Sequence, residues 1–146
     1  MNYLKYLFGF ANIIIILGAA SMLPQARAGE LEVGSISGVV FEDENGDGVK
    51  GAGEKGIEHW AVYLVDMPWL ILNADANGAF AFSDVPAGTH TVCVESEDLW
   101  QQTAPVPPAG IACNGEIIGF EVEVPAGSTV SGLEFGMFHA FTITGK

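Results

Sequence analysis

A twelve-residue acidic segment carries the residue types and the spacing of a calcium-binding loop. Residues 43–54 read DENGDGVKGAGE, which matches the pattern D-x-[DN]-x-[DN]-G-x5-E at each defined position. Calcium takes about six to eight oxygen ligands, and such a loop supplies them from spaced side chains and one backbone carbonyl. The spacing predicts as ligands Asp43, Asn45, Asp47, Val49 through its carbonyl, and Glu54.

The sequence around this loop is unlike that of an EF-hand. Residues 35–41 read SISGVVF and alternate with β-branched side chains, which predicts a strand. The KGI that follows the loop provides no helix start. We therefore expect an EF-hand-like calcium loop set in an all-β protein. The alternative is an ordinary Asn-Gly and Asp-Gly turn that is acidic and binds no metal.

The first 28 residues are predicted to be a signal peptide. Lys5 precedes an apolar run over 7–23, and the Ala-Arg-Ala at 26–28 has the form of a signal peptidase site. Residues 29–146 would then form the mature chain. The alternative is an uncleaved membrane anchor over 7–23, although about 17 apolar residues is short for a membrane span. Either outcome predicts a secreted, cell-surface or periplasmic protein.

The charge balance limits the classes of partner. The chain has 18 Asp and Glu residues against 5 Lys and Arg residues, and its net charge is −13. Contacts from Lys and Arg to phosphates provide most nucleic-acid affinity, so nucleic acid is excluded as a partner. Cations or a basic protein surface suit this charge better, and the acidity also favours solubility outside the cell.

Two cysteines, Cys93 and Cys113, lie in the predicted mature chain. An even number of cysteines in an exported protein predicts a disulfide. Closing a loop of about 20 residues would contribute on the order of 3 kcal/mol by reducing the entropy of the unfolded chain.

Short alternating segments separated by Gly, Pro, Asn and Asp predict the fold. A seven-stranded, immunoglobulin-like β-sandwich is expected, as a single domain over 29–146. The segment 69–72, WLIL, does not alternate, so it is either buried on both sides or an apolar surface patch. Residues 139–144 are predicted to form a further edge strand or a loose tail. The seven predicted strands lie at about 33–42, 58–65, 69–73, 79–83, 89–96, 116–124 and 129–138.

The order of these segments resembles the SdrD B-like (Cna B-type) repeat of bacterial surface proteins. The similarity covers about residues 34–138 and is strongest in the calcium loop, in DANGAFAFSDVPAGTHTVCV at 75–94 and in GLEFG at 132–136. It implies a prealbumin-like Greek-key sandwich that serves as a rigid, calcium-stabilised stalk or spacer. It also implies the same calcium ligands, and the acidic turns offer candidates for further sites or plain turn residues: Asp66, Asp75, Asn77 and Asp84.

The sequence does not predict an enzyme. Residues 29–146 contain no arginine and one tyrosine, and the histidines at 59, 90 and 139 are not grouped with other catalytic residue types. Trp100, next to Gln101 and Gln102, could stack on a sugar, so a carbohydrate-binding module is an alternative. In the SdrD B-like repeats a tryptophan at this position packs at the end of the sandwich. We expect a structural, adhesive or accessory module that binds a protein partner or itself.

Overall fold

The computed structural model describes residues 32–106, 110–115 and 117–140. The predicted signal peptide and the end of the predicted tail lie outside these residues. In the described part of the chain no helix has the length and apolar character needed to cross a bilayer. The regular elements of the described residues are nine strands: β1 (Val33–Glu42), β2 (Ala61–Leu64), β3 (Met67–Asn73), β4 (Ala79–Pro86), β5 (Gly88–Val94), β6 (Trp100–Ala104), β7 (Ile111–Asn114), β8 (Ile117–Val124) and β9 (Thr129–His139).

The strands form two sheets. The four-stranded sheet has the order β4-β1-β9-β6, and the five-stranded sheet has the order β3-β2-β5-β8-β7. Strands β1 and β9 pair in parallel from Ser35 opposite Thr129 to Glu42 opposite Met137. The other strand pairs are antiparallel. The prediction of an all-β sandwich is confirmed.

Alternation along the strands separates the core from the surface. Phe80 and Phe82 of β4 are buried, as are Val122 and Val124 of β8, and the residues between each pair are exposed. This period of two is the geometry of a strand with one face on the core. Complete burial of each such side chain contributes about 1.5–3 kcal/mol. The core also receives large side chains from β1, β2, β5 and β9: Ile36, Val40, Val62, Leu64, Val92, Val94, Leu133, Phe135 and Met137.

The predicted number of strands is wrong, because β6 and β7 were not predicted. Strand β6 contains Gln101 and Gln102 and has no alternating apolar pattern, and it forms by pairing with β9. Strand β7 has only four residues and pairs with β8. Strand β6 depends on a neighbour that is distant in the sequence, which local propensity does not reveal. Strand β7 pairs with the next strand along the chain, but it is too short to show an alternating pattern.

A disulfide joins Cys93 of β5 to Cys113 of β7, as the cysteine count predicted, with the two Cα atoms 6.1 Å apart. Strand β8 lies between these two strands, so the disulfide crosses above it at Gly119. A Cβ at position 119 would collide with both sulfur atoms and with the Val92 carbonyl. Glycine at this position allows the cross-link to pass over the sheet.

Candidate metal centre

The two ends of the 43–54 loop are held together by backbone hydrogen bonds. The Glu42 N–H donates to the Lys55 carbonyl at 2.8 Å, and Phe41 forms a β-bridge with Gly56. The Asp43 N–H donates to the Met137 carbonyl of β9, also at 2.8 Å. The loop therefore starts and ends beside the end of β1, and a backbone hydrogen bond fixes it to the neighbouring strand β9.

Asp43 organises the first half of the loop. Its side chain is fully buried, and Oδ1 accepts the N–H groups of Gly46 at 2.8 Å and Asp47 at 3.2 Å. Oδ2 accepts the N–H of Gly48 at 2.7 Å. Gly48 has a φ of 76°, a left-handed conformation that favours glycine. An ideal Cβ there would also come within 3.0 Å of the Thr103 carbonyl oxygen.

The electrostatics of Asp43 favour the carboxylate. Burial alone raises the pKa of this carboxyl group. The Thr103 hydroxyl and the N–H groups of Gly48, Gly46 and Asp47 act against burial and bring the pKa below its ordinary value of 3.8. Asp43 thus places a negative charge inside the loop.

The ligands predicted at loop positions 3, 5 and 7 make short-range hydrogen bonds. Asn45 Oδ1 accepts the Asp47 N–H at 2.9 Å, and Asn45 Nδ2 donates to Asp47 Oδ2 at 2.9 Å. Asp47 Oδ1 accepts the Val49 N–H at 2.8 Å. These three residues lie at the surface. In this structure the side-chain oxygens of Asn45 and Asp47 support turns of the backbone, and their role as metal ligands stays a prediction.

Glu54 lies at the end of the loop, and the described residues provide a hydrogen bond to only one of its two carboxylate oxygens. Its Oε2 accepts the Gly51 N–H at 2.7 Å. Its Oε1 is buried and has no hydrogen-bond partner among the described residues. Lys50 Nζ donates to the Glu54 backbone carbonyl at 2.9 Å, so the lysine binds the main chain. A buried carboxylate oxygen without a hydrogen-bond partner lowers the stability of the fold, because it has lost its water and gained no other contact. A bound cation would provide the missing contact.

Thr103 of β6 is a neighbour of the loop that sequence analysis missed. Its hydroxyl is close enough to the Asp43 carboxylate to lower the pKa of that group. The Thr103 hydroxyl does not form a hydrogen bond of normal geometry with Asp43. In the described part of the chain, Thr103 Oγ1 and Glu54 Oε1 are the two buried side-chain oxygens that lack a hydrogen-bond partner. No local pattern could have identified Thr103, since it lies 60 residues from Asp43 in a strand that was not predicted.

The residues present fit a hard cation by donor type and by unused acceptor capacity. A carboxylate can accept about four hydrogen bonds, whereas Asp43 accepts three from the loop backbone and Glu54 accepts one. Across residues 32–106, 110–115 and 117–140, however, no three His, Cys, Asp or Glu side chains are grouped closely enough to hold a metal. The structure therefore does not bring the Asp43, Asp47 and Glu54 carboxylates together, and a bound ion would have to draw them together with the Asn45 amide and the Val49 carbonyl.

Trp100 occupies a packing position. Its ring packs edge-on against Trp60, with the centroids 5.3 Å apart, and lies 4.6 Å from the ring of His139. The neighbouring Gln102 amide bonds to both the N–H and the carbonyl of Ile118. These contacts join β6 to the rest of the sandwich, so the residues singled out for sugar stacking stabilise the fold here.

The other acidic candidates serve turns or a partly buried contact. Asp75 Oδ1 accepts the N–H groups of Asn77 and Ala79. Asp66 Oδ2 lies 2.6 Å from Nδ1 of the buried His90, whose Nε2 donates to the Pro86 carbonyl at 2.7 Å. This partly buried contact, with Asp66 exposed and His90 buried, ties the turns before β3 and before β5 to each other. Asp84 has a left-handed φ of 55° within β4.

A family model described as the SdrD B-like domain matches residues 34–111, more than half of the 146-residue chain. The chain belongs to the SdrD B-like domain family. This confirms the resemblance seen in the sequence. The matched SdrD B-like region contains the whole 43–54 loop and the strands from β2 to β6.

Solved structures support the fold of this SdrD B-like chain. GBS52, the minor pilin of Streptococcus agalactiae, matches with 13% sequence identity and a TM-score of 0.51, over 80% of this chain and 48% of the pilin. The chain thus corresponds to about half the length of that pilin. No curated protein matches the chain.

Proposed function

We propose that this SdrD B-like chain is an exported, non-enzymatic module, stabilised by calcium, that serves as a structural, adhesive or accessory component of an extracellular or cell-surface assembly. Membership of the SdrD B-like family supports this role, and the similar fold of a minor pilin supports a place in a surface assembly. The observation that carries the proposal is the closed 43–54 loop, which contains the buried Asp43 carboxylate and a buried Glu54 oxygen that has no hydrogen-bond partner among the described residues.

Export is supported by the disulfide and by the predicted signal peptide. The Cys93–Cys113 disulfide suits an oxidising compartment outside the cytoplasm. Cleavage before Gly29 would release the mature chain from the 1–28 segment. Intact-mass measurement of the native protein tests this part, because an uncleaved membrane anchor would retain all 28 residues.

A non-enzymatic role is supported by the contacts of the most buried histidine. Both ring nitrogens of His90 are engaged, by Asp66 and by the Pro86 carbonyl. A general base needs a free nitrogen within reach of a substrate proton. His90 instead stabilises two turns of the sandwich.

In the proposed mechanism the loop residues hold the ion and the backbone transmits the constraint. Asp43, Asn45, Asp47, Glu54 and the Val49 carbonyl would be the ligands, and bound calcium would neutralise their charge and cross-link the two halves of the loop. The N–H groups of Glu42 and Asp43 then connect the stiffened loop to Lys55 and to β9. The expected result is a module that resists thermal unfolding and proteolysis.

Thermal unfolding of three proteins, each in calcium and in chelator, tests the calcium proposal. Calcium at about 100 times its dissociation constant should stabilise the wild-type protein by about 2.7 kcal/mol. The Glu54→Gln variant should lose most of this gain, because it removes the charge of the proposed closing ligand. Glu44→Gln is the matched control, since Glu44 is exposed and lies outside the ligand pattern. Identical melting temperatures of the wild type in calcium and in chelator would contradict the proposal.

A further inference from the structure

In the part of the chain that the structure describes, strand β3 is an open edge of the five-stranded sheet, with β2 as its one sheet neighbour. It has seven residues, MPWLILN, none of which is charged. Native proteins usually protect such edges with charged side chains, proline, β-bulges, very short strands or a covering element. The first half of β3 has Pro68 and a register shift between Met67 and Ile71, whereas residues 71–73 pair regularly with β2 and have none of these protections. At the opposite edge of the same sheet, β7 has only four residues and is cross-linked by the disulfide.

The hydrogen bonds of β2 show which of its backbone groups face β5. The Val65 N–H donates to the Thr91 carbonyl at 3.0 Å, and the Glu95 N–H donates to the Ala61 carbonyl at 3.0 Å. Backbone groups in an antiparallel strand point alternately to its two sides. Ala61, Tyr63 and Val65 therefore bond towards β5, and the residues between them bond towards β3.

The same alternation identifies the free groups of β3. The Ala74 N–H, just beyond β3, donates to the Trp60 carbonyl at 2.9 Å, so Leu72, two residues earlier, also bonds towards β2. Ile71 and Asn73 then direct their N–H and C=O groups away from the sheet. These unpaired groups can form a ladder with a further strand.

The side chains of this edge are apolar and accessible. Trp69 is 78% exposed and Ile71 is 53% exposed, which is unusual for large apolar residues on neighbouring positions of one strand. Pro68 is also exposed, and with Ile71 and Tyr63 it lines a shallow groove on this face of the sheet. The edge thus offers both backbone hydrogen bonds and an apolar surface to an added strand.

The charge distribution argues for the identity of the added strand. The chain carries 18 acidic residues against 5 basic ones, so most surfaces of two copies repel each other. The segment 67–73 has no carboxylate, and two copies can meet there without placing like charges opposite each other. The strand itself offers no carboxylate to a basic partner, although Asp66 lies just before the strand and Glu95 lies in the groove beside it.

We propose that β3 pairs in antiparallel orientation with β3 of a second copy of this chain, forming a symmetric dimer. The pairing is isologous, so it closes at two copies and does not propagate into a filament. This inference rests on the proposed function in one respect: it names a second copy of the chain as the partner in the proposed assembly. The interface is smaller than the standard area of about 1,600 Å², and we expect a dissociation constant on the order of 0.1 mM.

Sedimentation velocity of the mature chain, from about 10 μM to about 1 mM, tests the dimer. The wild type should shift from monomer to dimer, and tryptophan emission should move to shorter wavelength as Trp69 becomes covered. Ile71→Lys should weaken association at least about tenfold by placing a charge at the edge. Ile111→Lys is the matched control, because Ile111 is 39% exposed on β7 at the other edge, and it should dimerise like the wild type.

A second variant tests the backbone contribution separately. Asn73→Pro removes an outward N–H while leaving the bonds of Leu72 to β2, so the fold should persist and association should weaken. A wild type that stays monomeric to 1 mM, or a dimer that both β3 variants leave intact, would overturn the proposal. Growth into larger species would also overturn it, because isologous pairing ends at two copies. These outcomes do not depend on the calcium measurement, so the two proposals can fail separately.

Discussion

Replacing Asp43 by Asn tests whether the loop is held by one buried carboxylate. The substitution keeps the shape of the side chain but removes the charge and replaces one acceptor oxygen by an NH₂ group, which then faces either the Gly48 N–H or the N–H groups of Gly46 and Asp47. A hydrogen bond to a charged group contributes about 1.5–3 kcal/mol. Gly46 and Asp47 are exposed, so water can replace their bonds to Asp43, and the bond from Gly48 carries most of the cost. We expect a loss of about 2–4 kcal/mol.

The assay is urea unfolding at pH 7 in chelator, so that no metal contributes to the difference. The same loss should appear as a fall in melting temperature of about 10 °C for a domain of this size. Asp75→Asn is the matched control, because the exposed Asp75 carboxylate also accepts two backbone N–H groups. Its cost should be about 1 kcal/mol. Equal losses in the two variants would refute the central role given to Asp43.

The pH dependence gives a second check on Asp43. Its pKa is lowered in the folded state, so the stabilisation is fully present above the unfolded value near 3.8 and is lost as the pH falls through the folded value. The difference in stability between the wild type and Asp43→Asn should therefore be constant from pH 5 to 7 and should shrink below pH 3.8. A difference that grows on acidification would contradict this sign.

Two further predictions concern the five-stranded sheet. Reducing the Cys93–Cys113 disulfide, or replacing both cysteines by serine, should lower the free energy of unfolding by about 3 kcal/mol, because the closed loop spans 20 residues. Urea unfolding with and without reductant measures this loss, and equal unfolding midpoints would contradict it. Burial and the nearby Glu95 raise the pKa of Tyr63 above 10.0, so absorbance at 295 nm of the mature chain should titrate above pH 10 and Glu95→Gln should lower the midpoint. Tyr63 thus favours folding below pH 10, and this stabilisation is lost as the pH rises through its folded pKa. An absorbance titration with a midpoint below pH 10 would show that burial and Glu95 do not raise the pKa of Tyr63.

The sequence predicted the structure best where the residues that determine an element lie within one short segment. Strand β1 was predicted with its observed bounds, 33–42, because its alternation and the loop that follows are both local. The run at 75–94 likewise contains a tight turn and two alternating strands, β4 and β5. The family resemblance depends on these same segments, and it was confirmed over 34–111.

Features made by distant residues were not predictable. Strand β6 exists because β9 offers it an edge, and its sequence, WQQTA, carries no strand pattern. Thr103 therefore could not be assigned to the neighbourhood of Asp43. The sequence of the segment 69–72 is compatible with burial or with an exposed patch, and the structure shows both. Trp69 and Ile71 are exposed, while Leu70 and Leu72 are half-buried.

The two proposed activities of this module lie on different sheets. The 43–54 loop follows β1 and bonds to β9, both in the four-stranded sheet, whereas the β3 edge belongs to the five-stranded sheet. Stabilisation by calcium should therefore leave the dissociation constant of the dimer unchanged, because ion binding alters neither the backbone groups nor the apolar side chains of β3. Sedimentation in chelator and in calcium distinguishes this independence from coupling. A dimer that forms only with calcium would show that the ion acts on the edge itself, for example by bridging acidic residues of two copies, and the uncharged ladder would then not explain association.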